Sequence, residues 1–398
     1  MRRPILPVLA LLLAAMACQE KLTTPVDCPE LCPGASLTVR DTVLLPLPGL
    51  DSTYTGYLSQ GAVPALLVSD SLPAGEARSF ADFPRQSDSI TVDGLPYVYT
   101  TDSVSITFHV IARDTAVRDV RLLLYRVSPF LDTLATFAAV DSALTPAVLV
   151  DSISVLDTLT AGAVSVVLSG DDLGKLVPFD GDSGRIGLGL RVHGSAPTGV
   201  RLGSLSSSGG EPTIVTYAQV GTPDTTRRHQ TLTRVADTAN YVMNGPPPPD
   251  PGLLYVGGKN GARTLLRFAV PPSIKDSAEI LRATLELTPA SAILGLPNDP
   301  GSLQLRGVLT DQGAKSPALG TVGASLAVAA GATAVQSADV RSIVATWFSA
   351  NPPAPAIFIG LSPEGGSFTR PEFLSTAAPS GGPRLRITYA LPSHPGHP

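Results

Sequence analysis

The chain has 398 residues, a formal net charge of −5, and only 15% charged and 5% aromatic residues. Glycine (37) and proline (38) are abundant, which suits many short strands joined by turns and argues against a helical bundle. No basic run exceeds Arg227-Arg228, and nucleic-acid binding needs a basic face or stripe, so no nucleic-acid partner is expected.

The first element is a leader. Met1-Arg2-Arg3 precedes an apolar run from Ile5 to Ala17 that only Pro7 interrupts. A spanning helix needs roughly 20 apolar residues. A short run with a charged start and small residues at its end instead predicts a signal peptide over 1–17. Ala15-Met16-Ala17-Cys18 resembles the lipobox of bacterial lipoproteins; Ala15 and Ala17 also fit ordinary cleavage at the same bond. The resemblance implies that Cys18 is lipidated and becomes the first residue, and multiple acyl chains would anchor it stably. Gln19 after the cysteine, where Asp would signal retention, implies the outer membrane. The cysteine count agrees, because three cysteines leave one over in an exported chain. With Cys18 lipidated, Cys28 and Cys32 remain as a local disulfide or as free thiols. A structural zinc site would need four ligands, and the five histidines are scattered at 109, 193, 229, 394 and 397.

Residues 18–38 read as lipidated anchor and extended spacer. Strict alternation then begins, as in Val104-Ser105-Ile106-Thr107-Phe108-His109-Val110, which marks half-buried strands and puts His109 on a solvent face. An internal repeat is visible. Gly75-Glu76-Ala77-Arg78 leads to Phe83, and Gly261-Ala262-Arg263 leads to Phe268. The alternating run Val117, Val120, Leu122, Leu124 is matched to Ile280, Ala283, Leu285, Leu287. Arg185–Leu190 is matched to Ala356–Leu361. Both copies close on Pro and then Thr-Tyr-Ala, at Pro212 with Thr216-Tyr217-Ala218 and at Pro383 with Thr388-Tyr389-Ala390. Helical spacing of Val340, Ile343, Val344 and Trp347 predicts one helix, with Ser337 or Asp339 as cap and Trp347 in the core. Asp172 to Val177 is its shorter counterpart. The expected organisation is all-β: a first β-sandwich or jelly-roll domain over 39–220, a linker over 221–235, a second over 236–391, and a tail over 392–398.

The second copy resembles the DNRLRE (disaggregatase-related) β-sandwich modules of secreted microbial proteins, over roughly 235–391. The matching residues are Leu265-Leu266-Arg267-Phe268 with Pro271, Ile280 to Leu287, the helix ending near Trp347, and Phe373-Leu374-Ser375 before Pro383-Arg384-Leu385. The resemblance implies a carbohydrate-binding-like module of cell-surface proteins and names no ligand.

Catalytic chemistry is not visible, and no catalytic residue is assigned. No Gly-x-Ser-x-Gly elbow occurs, and no nucleophile motif neighbours a histidine. Gly257-Gly258-Lys259-Asn260-Gly261 lacks the ending of a phosphate loop and reads as a hairpin turn. Asp171, Asp172, Asp180 and Asp182 are weak candidates for a structural calcium, the plainer reading being solvated loop acids; no other cofactor is expected. The function expected is a non-enzymatic, membrane-anchored lipoprotein that binds glycan or envelope protein. The alternatives are a polysaccharide-active jelly roll, with paired carboxylates that only space can reveal, or a structural subunit of an envelope assembly. Replacing Cys18 by Ala is expected to move the protein from the membrane pellet to the soluble fraction; unchanged membrane retention overturns the anchor.

Overall fold

The computed structural model describes residues 38–58, 63–129, 135–206, 210–221, 228–245, 250, 252–259, 261–275 and 278–391. The signal peptide, Cys18, Cys28, Cys32 and the tail lie outside the described residues. The fold is all-β with a few short helices, and its strands build two sandwiches.

Alternation explains the strands of the first unit. Along Tyr99–Arg113 the residues Val104, Ile106, Phe108 and Val110 are buried and their neighbours are half-exposed, the period of two expected of a strand with one face inward. His109 is half-buried rather than solvent-facing, and its Nδ1 has no hydrogen-bond partner among the described residues. Eleven strands belong to this sheet. The path runs His229–Val235, Thr213–Val220, Tyr99–Arg113, Thr198–Leu202, Leu66–Asp70, Glu76–Phe83, Ile186–His193, Arg121–Val127 and Leu149–Ser154. Gly162–Ser169 also pairs with Tyr99–Arg113, and Thr238–Asn244 with Glu76–Phe83. Phe83, Phe108, Leu122, Leu188 and Ile214 meet in its core.

The second unit stacks two sheets. One orders Thr38–Leu44, Arg384–Leu391, Glu279–Leu287 and Gln336–Asp339; the other orders Ser52–Tyr54, Arg263–Arg267, Ala354–Ser362, Gly301–Val308 and Ala318–Val328. Leu285, Leu305, Ile357 and Ile387 fill the space between them with Phe268 and Trp347. The helix Arg341–Thr346 forms where periodicity predicts it; Asp339 Oδ1 accepts from the Arg341 backbone N–H at 2.9 Å. Trp347 is buried, its ring 5.8 Å from that of Phe268.

The units do not follow the expected domain boundaries. Thr38–Leu44 and Ser52–Tyr54 precede the first repeat's body, yet they pair with Arg384–Leu391 and Arg263–Arg267 of the second. Conversely, His229–Val235 and Thr238–Asn244 pair with Thr213–Val220 and Glu76–Phe83 of the first. The segment 229–235, expected within the linker, is therefore a strand of the first unit. The two exchanges are equivalent in detail. The Leu47 N–H donates to Arg267 O at 2.8 Å, and the Asp237 N–H to Asp82 O at 2.8 Å, each at the corresponding corner between the two donated strands. A short connector, 221–228, explains the choice. It joins Thr213–Val220 to His229–Val235 as a hairpin, the sequence-local solution. That edge is then taken, and Thr38–Leu44 fills the corresponding edge beside Arg384–Leu391.

Pairing also corrects the repeat alignment. Glu279–Leu287 occupies the place of Tyr99–Arg113, since each pairs with its repeat's closing strand, rather than that of 117–124. Arg121–Val127 instead corresponds to Gly301–Val308, each lying beside the strand matched at Ile186–His193 and Ala354–Ser362. Both closing strands face a bulge, where pairing skips Asp102 in one copy and Leu281 in the other. Aligning the bulges keeps Pro212 against Pro383 and shifts the two Thr-Tyr-Ala runs by one. Tyr217 accordingly points out to solvent while Tyr389 is buried.

Each donated strand pair buries side chains, among them Ala239, Tyr241 and Val242 in one and Leu44 in the other. A large buried apolar side chain is worth about 1.5–3 kcal/mol, and a domain's whole margin is about 5–15 kcal/mol, so each unit draws part of its margin from the other's strands. A protease site placed within 222–227 is expected to give a nicked protein that elutes as one species and separates only in denaturant. Separation of the two fragments under native conditions overturns the exchange.

Candidate functional site

The exchange creates a junction between the units. Leu67, Leu72, Ala74, Ala77 and Tyr241 of the first unit pack on Leu296 and Phe368 of the second. Tyr241 Oη donates to Gly365 O at 2.7 Å, and burial holds this phenol protonated far above its ordinary range. Arg201 pairs with Asp299 at 3.2 Å; burial raises the Asp299 carboxyl, and the guanidinium opposes that shift. Gly75, at φ +128, lets the backbones cross here: a Cβ would lie 2.7 Å from Gly245 Cα.

Above this apolar floor opens a cleft of about 380 Å³. Thr55, Ala74, the strand end at Met243 to Gly245, the hairpin through Tyr255 and Lys259, and the loop of Ser367, Phe368 and Arg370 line it, so both repeats contribute. The glycine-rich segment is a tight hairpin, as expected: Gly257 and Ala262 exchange both backbone hydrogen bonds, at 2.8 and 2.9 Å. Asn260 is outside the described residues. Positive φ at Gly257, Gly258 and Gly261 makes the turn, and a Cβ on Gly257 would meet Leu361 at 2.7 Å. The hairpin holds Lys259 at the rim, where desolvation lowers its ammonium pKa and no ion pair forms among the described residues. Arg370 lies 5.4 Å over the Tyr255 ring and pairs with Glu372 at 3.2 Å. The lining thus offers cations, hydroxyls of Thr55 and Ser367, an amide at Asn244 and an aromatic ring. Among the described lining residues there is no carboxylate, His or Cys, so those residues can bind an acidic or hydroxylated group and supply no paired acid and base.

The sequence-predicted acids fall elsewhere. Asp171 and Asp180 are exposed, Asp172 pairs with Lys175 at 2.7 Å, and Asp182 accepts from the Phe179 backbone N–H at 3.1 Å inside its own turn. Among the described residues no group of three or more His, Cys, Asp or Glu is placed to hold a metal ion. Nothing in the sequence pattern marked the cleft, whose walls come from five separate segments.

The most perturbed acid is Asp82, at the exchange corner. Burial is the main cause that pushes its carboxyl up to about 6 from 3.8; the Thr238 hydroxyl, donating at 2.7 Å, and Arg185 oppose the shift, while Asp237 and Asp182 add to it. Its Oδ1 has no hydrogen-bond partner among the described residues. Asp82 does not line the junction cleft.

No protein-family model matches the chain, and the search of curated proteins gives no match. Among solved structures, the C-terminal domain of the Streptococcus pyogenes antigen I/II-family protein AspA is similar at 10% identity and a TM-score of 0.18, over 83% of this chain and 91% of that one. That score is too low to bear on fold or function.

Because the folded state raises the Asp82 pKa, this group favours folding as pH falls and opposes it once pH rises through about 6. Asp82→Asn is expected to stabilise the protein at pH 7.5, on the order of 1–3 kcal/mol by denaturant titration, with the gain vanishing below about pH 4. An offset that is the same at every pH overturns the assignment.

Proposed function

We propose that this chain is a non-enzymatic lipoprotein, tethered through Cys18 to the outer membrane, whose strand-exchanged sandwiches hold a binding cleft for an envelope glycan or protein. The observation that carries the reading is the composition of the junction cleft: Lys259, which forms no ion pair among the described residues, stands at its rim with the Tyr255 ring and with Arg370, whose charge is shared with Glu372 behind the lining. Both repeats wall the cleft and their strands are exchanged, so its shape is fixed by the fold rather than by a linker. In this reading the tether enters the second unit, because Thr38–Leu44 is that unit's edge strand.

The resemblance of the second repeat to DNRLRE modules points the same way, toward carbohydrate at a cell surface. Purified full-length protein, titrated with a panel of acidic and neutral oligosaccharides, is expected to bind at least one of them. Lys259→Ala is expected to weaken that binding roughly tenfold or more, the scale of one charge-assisted contact. Turnover on a panel of glycan and ester substrates, or the absence from the oligosaccharide panel of any ligand whose binding Lys259→Ala weakens, overturns the proposal.

A further inference from the structure

Duplication supplies an internal comparison. The outer face of the strand pair at Arg78 and Gly189 corresponds to the face at Arg263 and Phe358, because Ser79 stands opposite Leu190 as Thr264 stands opposite Ile359. In the first unit this face is covered from within. The helix Phe137–Ala143, with Thr136 capping its start, packs Val140 and Leu144 onto Phe80 and Tyr125. Gly189 is required there, because a Cβ would collide with Leu144. The helix also brings a carboxylate: Asp141 accepts from Arg78 at 2.6 Å and from Arg191 at 2.8 Å.

In the second unit the described segment over this face is the short stretch through Tyr54 and Tyr57, which packs on Leu265, Val308 and Phe358 with the Tyr57 ring 5.9 Å from that of Phe358, and the rest of the lining has changed character. By the same register Phe358 replaces Gly189 and fills the seat of the helix. Gln304 replaces Leu123, and Arg306 replaces Tyr125. A groove of about 390 Å³ remains, lined by these residues with Arg263, Ser362 and Glu364. Arg263, the counterpart of Arg78, is neutralised by Glu364 through two bonds of 2.7 and 2.5 Å and lies 4.2 Å over the Tyr57 ring. Arg306 is exposed and makes no ion pair among the described residues. The groove thus keeps one unmatched positive charge, beside an amide, a hydroxyl and a carboxylate able to bond hydroxyl groups.

We infer that this groove binds a carboxylate-bearing sugar of an acidic glycan, with Arg306 receiving the carboxylate and Gln304, Ser362 and Glu364 the ring hydroxyls. The carboxylate that Asp141 supplies to Arg78 in the first unit is supplied to Arg263 by Glu364 in the second, so Arg306 is a charge the first unit lacks, at the position of Tyr125. A peptide with apolar anchors is disfavoured, because Phe358 occupies the seat such anchors use in the first unit. The site is separate from the junction cleft and does not depend on it.

Calorimetric titration of the full chain with a galacturonate hexamer, a neutral glucose hexamer and hexaglutamate tests the inference. The uronate is expected to bind at least tenfold more tightly than either control. Arg306→Ala is expected to lose tenfold or more while Arg306→Lys keeps most of the affinity, and Lys259→Ala, in the other cleft, leaves this affinity unchanged. Unaltered thermal melting of the Arg306 variants shows that folding is intact. No uronate binding, binding unaffected by Arg306→Ala, or hexaglutamate binding as well as the uronate overturns it; loss through Lys259→Ala alone would assign the ligand to the junction cleft.

Discussion

Backbone N–H and C=O groups at a buried sheet edge must be paired, and an unpaired edge is also a template for the wrong partner. Each repeat here has a closing strand, Thr213–Val220 or Arg384–Leu391, whose outer edge needs a further strand. The connector 221–228 decides who supplies it. A strand that directly follows its neighbour with a short turn forms a hairpin at little loss of chain entropy, so the second repeat's opening strand completes the first unit. The opening strand of the first repeat is left to close the second. Two sandwiches joined by a flexible tether would be free to separate; these two are each built partly from the other.

Several properties follow from that arrangement. The donated strands turn at corners tied by equivalent backbone bonds, Leu47 to Arg267 and Asp237 to Asp82, so the two corners share these bonds with different side chains. At one corner Arg267 forms an ion pair with Asp311 at 2.5 Å. At the other Asp82 is buried among like charges and carries a raised pKa. The ends of the donated strands also bring Thr55 and Met243 to the junction, beside the hairpin of Lys259. The cleft is a by-product of exchange: no single repeat contains its walls.

Much of this was legible from the chain, and the illegible part has a definite cause. Period-two alternation located Tyr99–Arg113 and Arg384–Leu391, and helical spacing located Arg341–Thr346 with Trp347 in the core. The repeat was visible at Ala77-Arg78 and Ala262-Arg263. What alternation cannot carry is the identity of a strand's partner. Exchanging corresponding strands between two copies leaves every side chain with its expected face, so the patterns of exchanged and unexchanged repeats are the same. The match of 280–287 to 117–124 failed for a related reason, since neighbouring strands of one sandwich share one pattern. The Thr-Tyr-Ala runs misled because a bulge at Asp102 and Leu281 sets the register, and a bulge leaves no compositional mark. The clefts were invisible because their linings are gathered from distant segments.

Divergence between the copies is where function is to be sought, since the features they share are those the fold demands. Both keep an arginine on the outer face with a carboxylate and an aromatic ring against it: Arg78 with Asp141 and Phe137, Arg263 with Glu364 and Tyr57. A buried or half-buried guanidinium left without its carboxylate would be strongly destabilising, which accounts for the retained pairing. It does not account for Arg306 and Gln304 where the other copy has Tyr125 and Leu123. Covering that face with a helix needs apolar contacts and a glycine beneath it, and the first unit has both. Placing two polar side chains beside a phenylalanine that only Tyr57 and its neighbours cover leaves a charge facing solvent, a change that packing alone does not favour. The second unit's outer face is therefore the part of the duplicated architecture least explained by stability and most open to selection for a ligand.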